Sequence, residues 1–268
     1  MPKGVLYDAN KCIGCRGCQV ACKQWNELPA GETTNTGTIE NPPHLSAETF
    51  TKLRFREVDY NGKFHWVFAK IQCMHCQDPA CVAACLVGAL QKTEFGAVVY
   101  DDRKCIGCRY CMMACPFGVP TFMWDSRWPW IRKCTFCADR QGAGLQPACV
   151  TTCPTGALKF GEREDLITEA RERIAAHPGE YVDHIYGEKE VGGTSWLYIS
   201  PVPFEELGFP TVDEEPVTVN PGRAMGAVPI ALLAVAAATT GVYWLTKRRQ
   251  NMSQAQASDQ EEKKEVTK

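Results

Sequence analysis

Histidine is scarce in this sequence, five in 268 residues, and none stands at zinc-finger spacing from a cysteine pair. No phosphate-binding loop, dinucleotide fingerprint or nucleophile triad can be read along the chain, so it offers no convincing substrate site of its own. A basic excess is missing too. The 29 Lys and Arg against 31 Asp and Glu leave a formal charge of −2, which gives a nucleic-acid partner no footing. The N-terminal stretch MPKGVLYDANKC lacks the apolar core of a secretory leader.

Cysteine is what the sequence has in abundance: sixteen residues. A disulfide framework of that density belongs to short secreted domains, and cysteines three apart are too crowded to pair regularly with each other. Metal ligation is the better reading. Every cysteine falls into one of four groups: Cys12, Cys15, Cys18 and Cys22; Cys73, Cys76, Cys81 and Cys85; Cys105, Cys108, Cys111 and Cys115; and Cys134, Cys137, Cys149 and Cys153. The first and third carry the C-x2-C-x2-C-x3-C run of bacterial ferredoxins, with Pro116 behind the third. PACVAACLVGAL (79–90) returns as PACVTTCPTGAL (147–158), so the order of groups is A-B-A-B and points to an internal duplication.

The dense spacing has a physical cause. Cysteines at steps of three wrap a loop around one face of an iron–sulfide cube, and successive N–H groups of that loop form an anion-binding nest. Gly14 and Gly107 sit in the tightest turn, where positive φ or close backbone approach suits a residue without Cβ. Pro116 and Pro154 fix φ just past the last cysteine of their groups. Zinc competes only for the fourth group, C-x2-C-x11-C-x3-C; the first and third are too dense for it. With sixteen cysteines and neither a missing ligand nor a histidine pair, four [4Fe–4S] clusters are expected. Lys11, Lys104 and Lys133 precede the first cysteine of three groups, with Arg16, Lys23, Arg109 and Lys159 nearby; cations so placed would raise cluster potentials. His75 reads as a packed residue rather than a ligand, and Trp25, Trp124, Trp128 and Trp130 as candidates for covering clusters.

Between the groups, GAVVYDD (96–102), ALKFGE (157–162) and GGTSWLYIS (192–200) read as strands, and EDLITEARERIAAHPG (164–179) as a surface helix. The stretch from Gln24 to Asn61 reads as a polar connector without a core of its own. Ala224 to Thr246 holds no charge; as a helix it spans about 34 Å, enough for a bilayer core of about 30 Å. Tyr243 and Trp244 at one end, then Lys247, Arg248 and Arg249, fit an interfacial belt and a basic stop. Ala234, Ala238 and Gly241 would let a partner helix approach closely. Three basic residues after the span against Arg223 before it place the tail in the cytoplasm and the cysteine domain on the periplasmic side. Without a leader of its own, the folded domain is expected to cross with a partner that carries a twin-arginine signal.

CIGCRGCQVACKQWN, NPPHLSAETFTKLRF, NGKFHW, CMHCQDPAC, CIGCRYCMMACPFGVP and KCTFCADR…PACVTTCPTGAL together resemble the iron–sulfur (β) subunit of membrane-bound respiratory formate dehydrogenases, nitrate-inducible type. The four-group pattern alone is shared by electron-transfer subunits of hydrogenases and other molybdopterin oxidoreductases, and SPVPFEELGFP is similar to an anchored hydrogenase subunit. The resemblance implies that the first group pairs with the fourth and the second with the third. It assigns one cluster to Cys12, Cys15, Cys18 and Cys153, a second to Cys134, Cys137, Cys149 and Cys22, a third to Cys73, Cys76, Cys81 and Cys115, and a fourth to Cys105, Cys108, Cys111 and Cys85. The duplication by itself fits pairing of neighbouring groups equally well. Leu86 stands where the resembled family often has proline after the cysteine.

The resulting expectation is an α+β fold of two interleaved ferredoxin-like (βαβ, two-cluster) modules with long loops and a single C-terminal transmembrane helix. The modules would be 1–62 with 125–205, and 63–124, followed by a linker at 206–223, the helix at 224–246 and a polar tail at 247–268. The resemblance implies a non-catalytic electron relay between a large molybdopterin (Mo or W) catalytic subunit and an integral-membrane cytochrome b or quinone-reactive subunit. A nickel–iron hydrogenase is the alternative partner, and a membrane-tethered zinc scaffold the alternative of another class.

Overall fold

The computed structural model describes residues 2–32, 34, 37–124, 126 and 131–266, with side chains as far as residue 256. Short elements alternate with the cysteine groups. β1 (Lys3–Asp8) leads into the first group, whose last two cysteines lie on α1 (Gly17–Trp25). β2 (Thr51–Tyr60) and β3 (Lys63–Gln72) form a long antiparallel hairpin. The second group contains α2 (Ala80–Ala83) and precedes a small hairpin of β4 (Leu90–Lys92) and β5 (Val98–Tyr100). The third contains α3 (Tyr110–Ala114), followed by the pair β6 (Thr121–Phe122) and β7 (Ile131–Arg132). The fourth spans α4 (Ala138–Gly142) and α5 (Ala148–Thr151). Then come β8 (Leu158–Glu162), α6 (Arg163–Ala176), β9 (Trp196–Ile199) and the long α7 (Val219–Val266).

β1 is the centre of a three-stranded sheet, antiparallel to β8 and parallel to β9, in the order β8-β1-β9. Its side chains alternate between two cores, as the period of a strand demands. Val5 and Tyr7, with Trp196 and Tyr198 opposite, enter the main core shared with Cys18 and Cys149. Leu6, Leu197 and Ile199 face the other way onto Leu166, Ile167 and Ala170 of α6. Both faces are covered, which explains the unbroken apolar runs VLY and WLYI. Leu166 is 2 % exposed, and its truncation to alanine would cost about 2–5 kcal/mol. The last turn of α6 is tied back to the sheet by Arg173, whose Nη1 lies 2.6 Å from Oδ2 of the buried Asp8. A third core, around Cys81, Leu90, Val98, Cys111 and Ile131, belongs to the second and third groups.

The expected strands and surface helix lie at β5, β8, β9 and α6. The reading of residues 24–61 as a connector needs correction, because its last third is β2. Leu53 and Phe55 alternate with polar neighbours, and the turn Asn61–Gly62 takes φ +52° and +72°, the left-handed pair of a two-residue hairpin. Trp128 and Trp130 lie outside the described residues. The contacts gather residues 1–218 into one unit and 219–268 into a second. In the second, α7 starts inside the expected linker and continues beyond Thr246. It contains the one helix among the described residues long and apolar enough to cross a membrane, Val219–Gln256.

Candidate metal centres

The first and third cysteine loops share one backbone. Gly14 and Arg16 take φ +68° and +60°, and Gly107 and Arg109 take +70° and +63°. These left-handed residues curl the chain so that α1 and α3 begin at the loop. Gly14 has a second reason to lack a side chain: a Cβ there would stand 3.0 Å from Phe68 and 3.1 Å from Phe55. Arg16 covers Phe55 at 4.9 Å, and its counterpart Arg109 covers Phe122 at 5.2 Å.

The second and fourth groups have no glycine at this point. His75 and Phe136 hold φ +50° and +59° instead, each just before the second cysteine of its group. Both are buried, and their rings stack 4.8 Å apart at 23°. His75 Nδ1 accepts the N–H of Val98 at 2.9 Å. Burial, reinforced by Lys133, Lys92 and Lys70, holds its imidazole neutral well below the ordinary histidine range. Backbone N–H groups already donate to sulfur in these loops: Gly107 to Cys105 at 3.4 Å, Phe136 to Cys134 at 3.4 Å and Ala89 to Cys85 at 3.2 Å. Past the last cysteine the turn closes alike whether or not proline follows. Gly118 N–H reaches the Cys115 carbonyl at 3.1 Å and Gly88 that of Cys85 at 3.2 Å, so Leu86 supports the turn found after Pro116.

Helix α1 packs on α5, and α2 packs on α3. Cys12, Cys15, Cys18 and Cys153 line one cavity with Tyr7 and Leu53. Cys22, Cys134, Cys137 and Cys149 line another with Lys70, Phe136 and Trp196. Burial pushes the Cys76 thiol up, and nearby Cys73, Cys115 and Cys81 push it further. Cys111 is raised to about 11 by burial and by Cys108, Cys85 and Cys105. Cys18, Cys22 and Cys81 are each pushed up to about 12, chiefly by burial. Such thiols stay protonated until a metal takes the proton's place. Among the described residues no three His, Cys, Asp or Glu side chains converge closely enough for a single ion. Soft sulfur donors standing further apart around a cavity suit a cluster of several irons. Cys15 and Cys108 are exposed; the other fourteen are partly or fully buried.

Comparison with known proteins agrees with this donor set. Two family models, each described as a 4Fe-4S dicluster domain, match residues 11–89 and 64–163. The chain is 41 % identical over 198 residues to the formate dehydrogenase, nitrate-inducible, iron-sulfur subunit of Escherichia coli, covering 72 % of this chain and 66 % of that one. It is 36 % identical over 245 residues to the hydrogenase-2 operon protein HybA of Escherichia coli, covering 79 % and 74 %. A protein of Nitratidesulfovibrio vulgaris is 43 % identical over 261 residues, 93 % of this chain and 68 % of its own length. The chain belongs to the 4Fe–4S dicluster iron–sulfur subunits. It spans about two thirds of the length of the formate dehydrogenase subunits it matches.

In this dicluster subunit the cations nearest the cavities are mostly not those expected. Lys11 and Lys104 are exposed, Lys159 pairs with Glu169, and Lys23 donates to the carbonyls of Pro29 and Glu48. Lys133 is buried and donates to the Val98 and Cys134 carbonyls. Lys92 donates to the Cys76 carbonyl, and burial lowers it to about 8. Lys70 is 1 % exposed and donates to Thr51 Oγ1 at 2.7 Å and Gln72 Oε1 at 2.9 Å. Burial pulls its ammonium down, yet Cys149, Cys18, Cys134 and Cys22 outweigh that and hold it above the ordinary lysine range. Neither Lys70 nor Lys92 precedes a cysteine, and in sequence Lys70 reads as one more polar position of an alternating strand.

The tryptophan over the second cavity is Trp196, fully buried, with an indole Nε1 that has no hydrogen-bond partner among the described residues. Trp25 and Trp124 are 41 % and 65 % exposed. A separate cleft of about 580 Å³ beside α6, lined by Arg171, His184 and Glu188 among others, contains no cysteine.

Proposed function

We propose that this subunit is a one-electron wire of four [4Fe–4S] clusters in anaerobic respiration. Cys12, Cys15, Cys18 and Cys153 hold the first, and Cys134, Cys137, Cys149 and Cys22 the second. Cys73, Cys76, Cys81 and Cys115 hold the third, and Cys105, Cys108, Cys111 and Cys85 the fourth. The observation that carries this reading is the grouping of thiols from different motifs around shared cavities, with helix α1 on α5 and α2 on α3. The two pairings define two interleaved dicluster modules, and the separate core around Cys81 and Cys111 supports that division. When bound, the clusters supply reversible one-electron chemistry; the chain's own residues set burial, charge and the exclusion of water.

The relatives' names support a place in a formate dehydrogenase; there we propose it lies between a molybdenum or tungsten catalytic subunit and a membrane cytochrome b or quinone-reactive subunit. The longer match to HybA favours a second reading, in which the catalytic partner is a nickel–iron hydrogenase. In both, α7 is the membrane anchor, with Lys247, Arg248 and Arg249 on the cytoplasmic side and the cysteine domain in the periplasm. Export alongside a signal-bearing partner follows from that orientation.

Anaerobic purification from membranes tests the reading, with iron, acid-labile sulfide and the co-purifying large subunit identified together. About sixteen irons and sixteen sulfides per chain are expected from four cubanes. Little iron with stoichiometric zinc would sink the wire, and the identity of the large subunit decides between the two partners. Protease that removes the cysteine domain only from the cytoplasmic face would overturn the orientation.

A further inference from the structure

Trp196 carries a buried donor for which the chain supplies no acceptor. Its side chain is fully buried, and among the described residues its indole Nε1 has no hydrogen-bond partner. An indole nitrogen can only donate, and a donor buried without an acceptor costs stability. The ring is fixed on several sides. β9 sets Trp196 against Val5 in the ladder, and Thr194 Oγ1 donates to its carbonyl at 2.6 Å. Lys70 Nζ lies 4.5 Å from the ring centroid, and the Phe136 ring packs 6.1 Å away.

The indole lines the cavity of Cys22, Cys134, Cys137 and Cys149. Two of those thiols already accept hydrogen bonds from the chain: Cys134 from the Phe136 N–H at 3.4 Å, and Cys22 from Asn26 Nδ2 at 3.7 Å. None of the four accepts from Trp196. The aromatic residue lining the first cavity differs, because Tyr7 donates its hydroxyl to the Phe68 carbonyl at 2.6 Å.

We propose that the indole N–H of Trp196 donates to a sulfide of the second cluster and raises the potential of that cluster alone. This rests on the four-cluster reading above. Reduction adds one electron to the cluster and oxidation removes it; no covalent bond forms or breaks, and the proton stays on Nε1. The added charge makes sulfur a stronger acceptor, so the hydrogen bond favours the reduced form.

The test uses the full chain, purified anaerobically with its partners, with heavy nitrogen in the indole rings of its tryptophans. Iron and sulfide are counted, and the clusters, reduced with dithionite, are examined by pulsed electron paramagnetic resonance. One of the four signals is expected to carry a coupling to the labelled nitrogen. That coupling should vanish in Trp196→Phe, and the midpoint of the same signal should fall while the other three stay. The ratio of reduced to oxidised cluster at a fixed potential should drop about tenfold, a shift of about 59 mV for a one-electron couple. Benzothienylalanine at position 196, which keeps the shape of the indole with sulfur in place of the N–H, should act alike and covers the case in which Trp196→Phe loses iron. No nitrogen coupling at any cluster, a coupling that survives both replacements, or midpoints that stay put or all fall together would overturn the proposal. An unmodified chain with fewer than four clusters would instead remove the reading beneath it.

Discussion

The rings of His75 and Phe136 stack 4.8 Å apart, and the two residues occupy equivalent positions in the duplicated C-x-x-C motifs. Each holds a left-handed φ that the other two motifs assign to glycine. Two halves of a duplication thus meet through the residues that strain both loops. Phe136→Ala should destabilise the loaded chain by about 3–5 kcal/mol, seen as a lower denaturant midpoint, and should loosen iron held by the fourth group. A midpoint unchanged from that of the unmodified chain would show that the stack contributes nothing.

Glycine is required more strictly in one loop than in its copy. Gly14→Ala and Gly107→Ala both place a Cβ at positive φ, a strain of about 1–2 kcal/mol. Only the first also drives that atom against Phe55 and Phe68; at Gly107 the nearest ring atom is 3.8 Å away. Iron content should fall further in Gly14→Ala, and equal loss in the two would contradict the packing.

A pH dependence arises at His184 and the buried Glu190, where Nε2 and Oε1 are 2.7 Å apart. The hydrogen bond to Glu190 raises His184 above its ordinary value. Burial pushes the Glu190 carboxyl up, but His184 and the backbone N–H of Gly187 outweigh it and leave it depressed. The histidine's contribution is complete below about pH 6.5 and fades as pH climbs through its raised value. That of the carboxylate is complete above about pH 4.5 and fades as pH falls through its lowered value. The pair therefore helps most between those limits. With His184 half-exposed, the pair contributes about 0.5 kcal/mol after solvent screening. Comparison of His184→Gln with the unmodified chain in denaturant melts should show the largest gap near pH 5.5 and less at pH 8; a gap independent of pH would dismiss the pair.

Anchoring gives a cleaner contrast. The full chain should resist alkaline carbonate washing of membranes, whereas a chain ending at Thr218 should wash off unless a membrane partner retains it. Release of both forms alike would deny α7 the role of a span.

The metal chemistry was legible because ligand spacing is local: three cysteines at steps of three constrain one loop whatever surrounds it. So was the sheet, whose apolar runs in β1 and β9 reflect burial on both faces. The hairpin of β2 and β3 carried a readable signal in its alternation and its Asn61–Gly62 turn, but the polar stretch before it masked the change. His75 and Phe136 gave no such sign, since histidine and phenylalanine rarely take positive φ and nothing near them in sequence reveals the stack. Lys70 was hidden for the same reason. A lysine in an alternating strand reads as solvated, and only the folded chain brings sulfur from two motifs around it.

Of sixteen cysteines, Cys15 and Cys108 alone are exposed, and they stand at corresponding places in the duplicated loops. Fourteen others are shielded by the fold itself. A subunit separated from its neighbours is thus open to air at two points, one in each half, and oxidation of its sulfur should begin there before it reaches the interior.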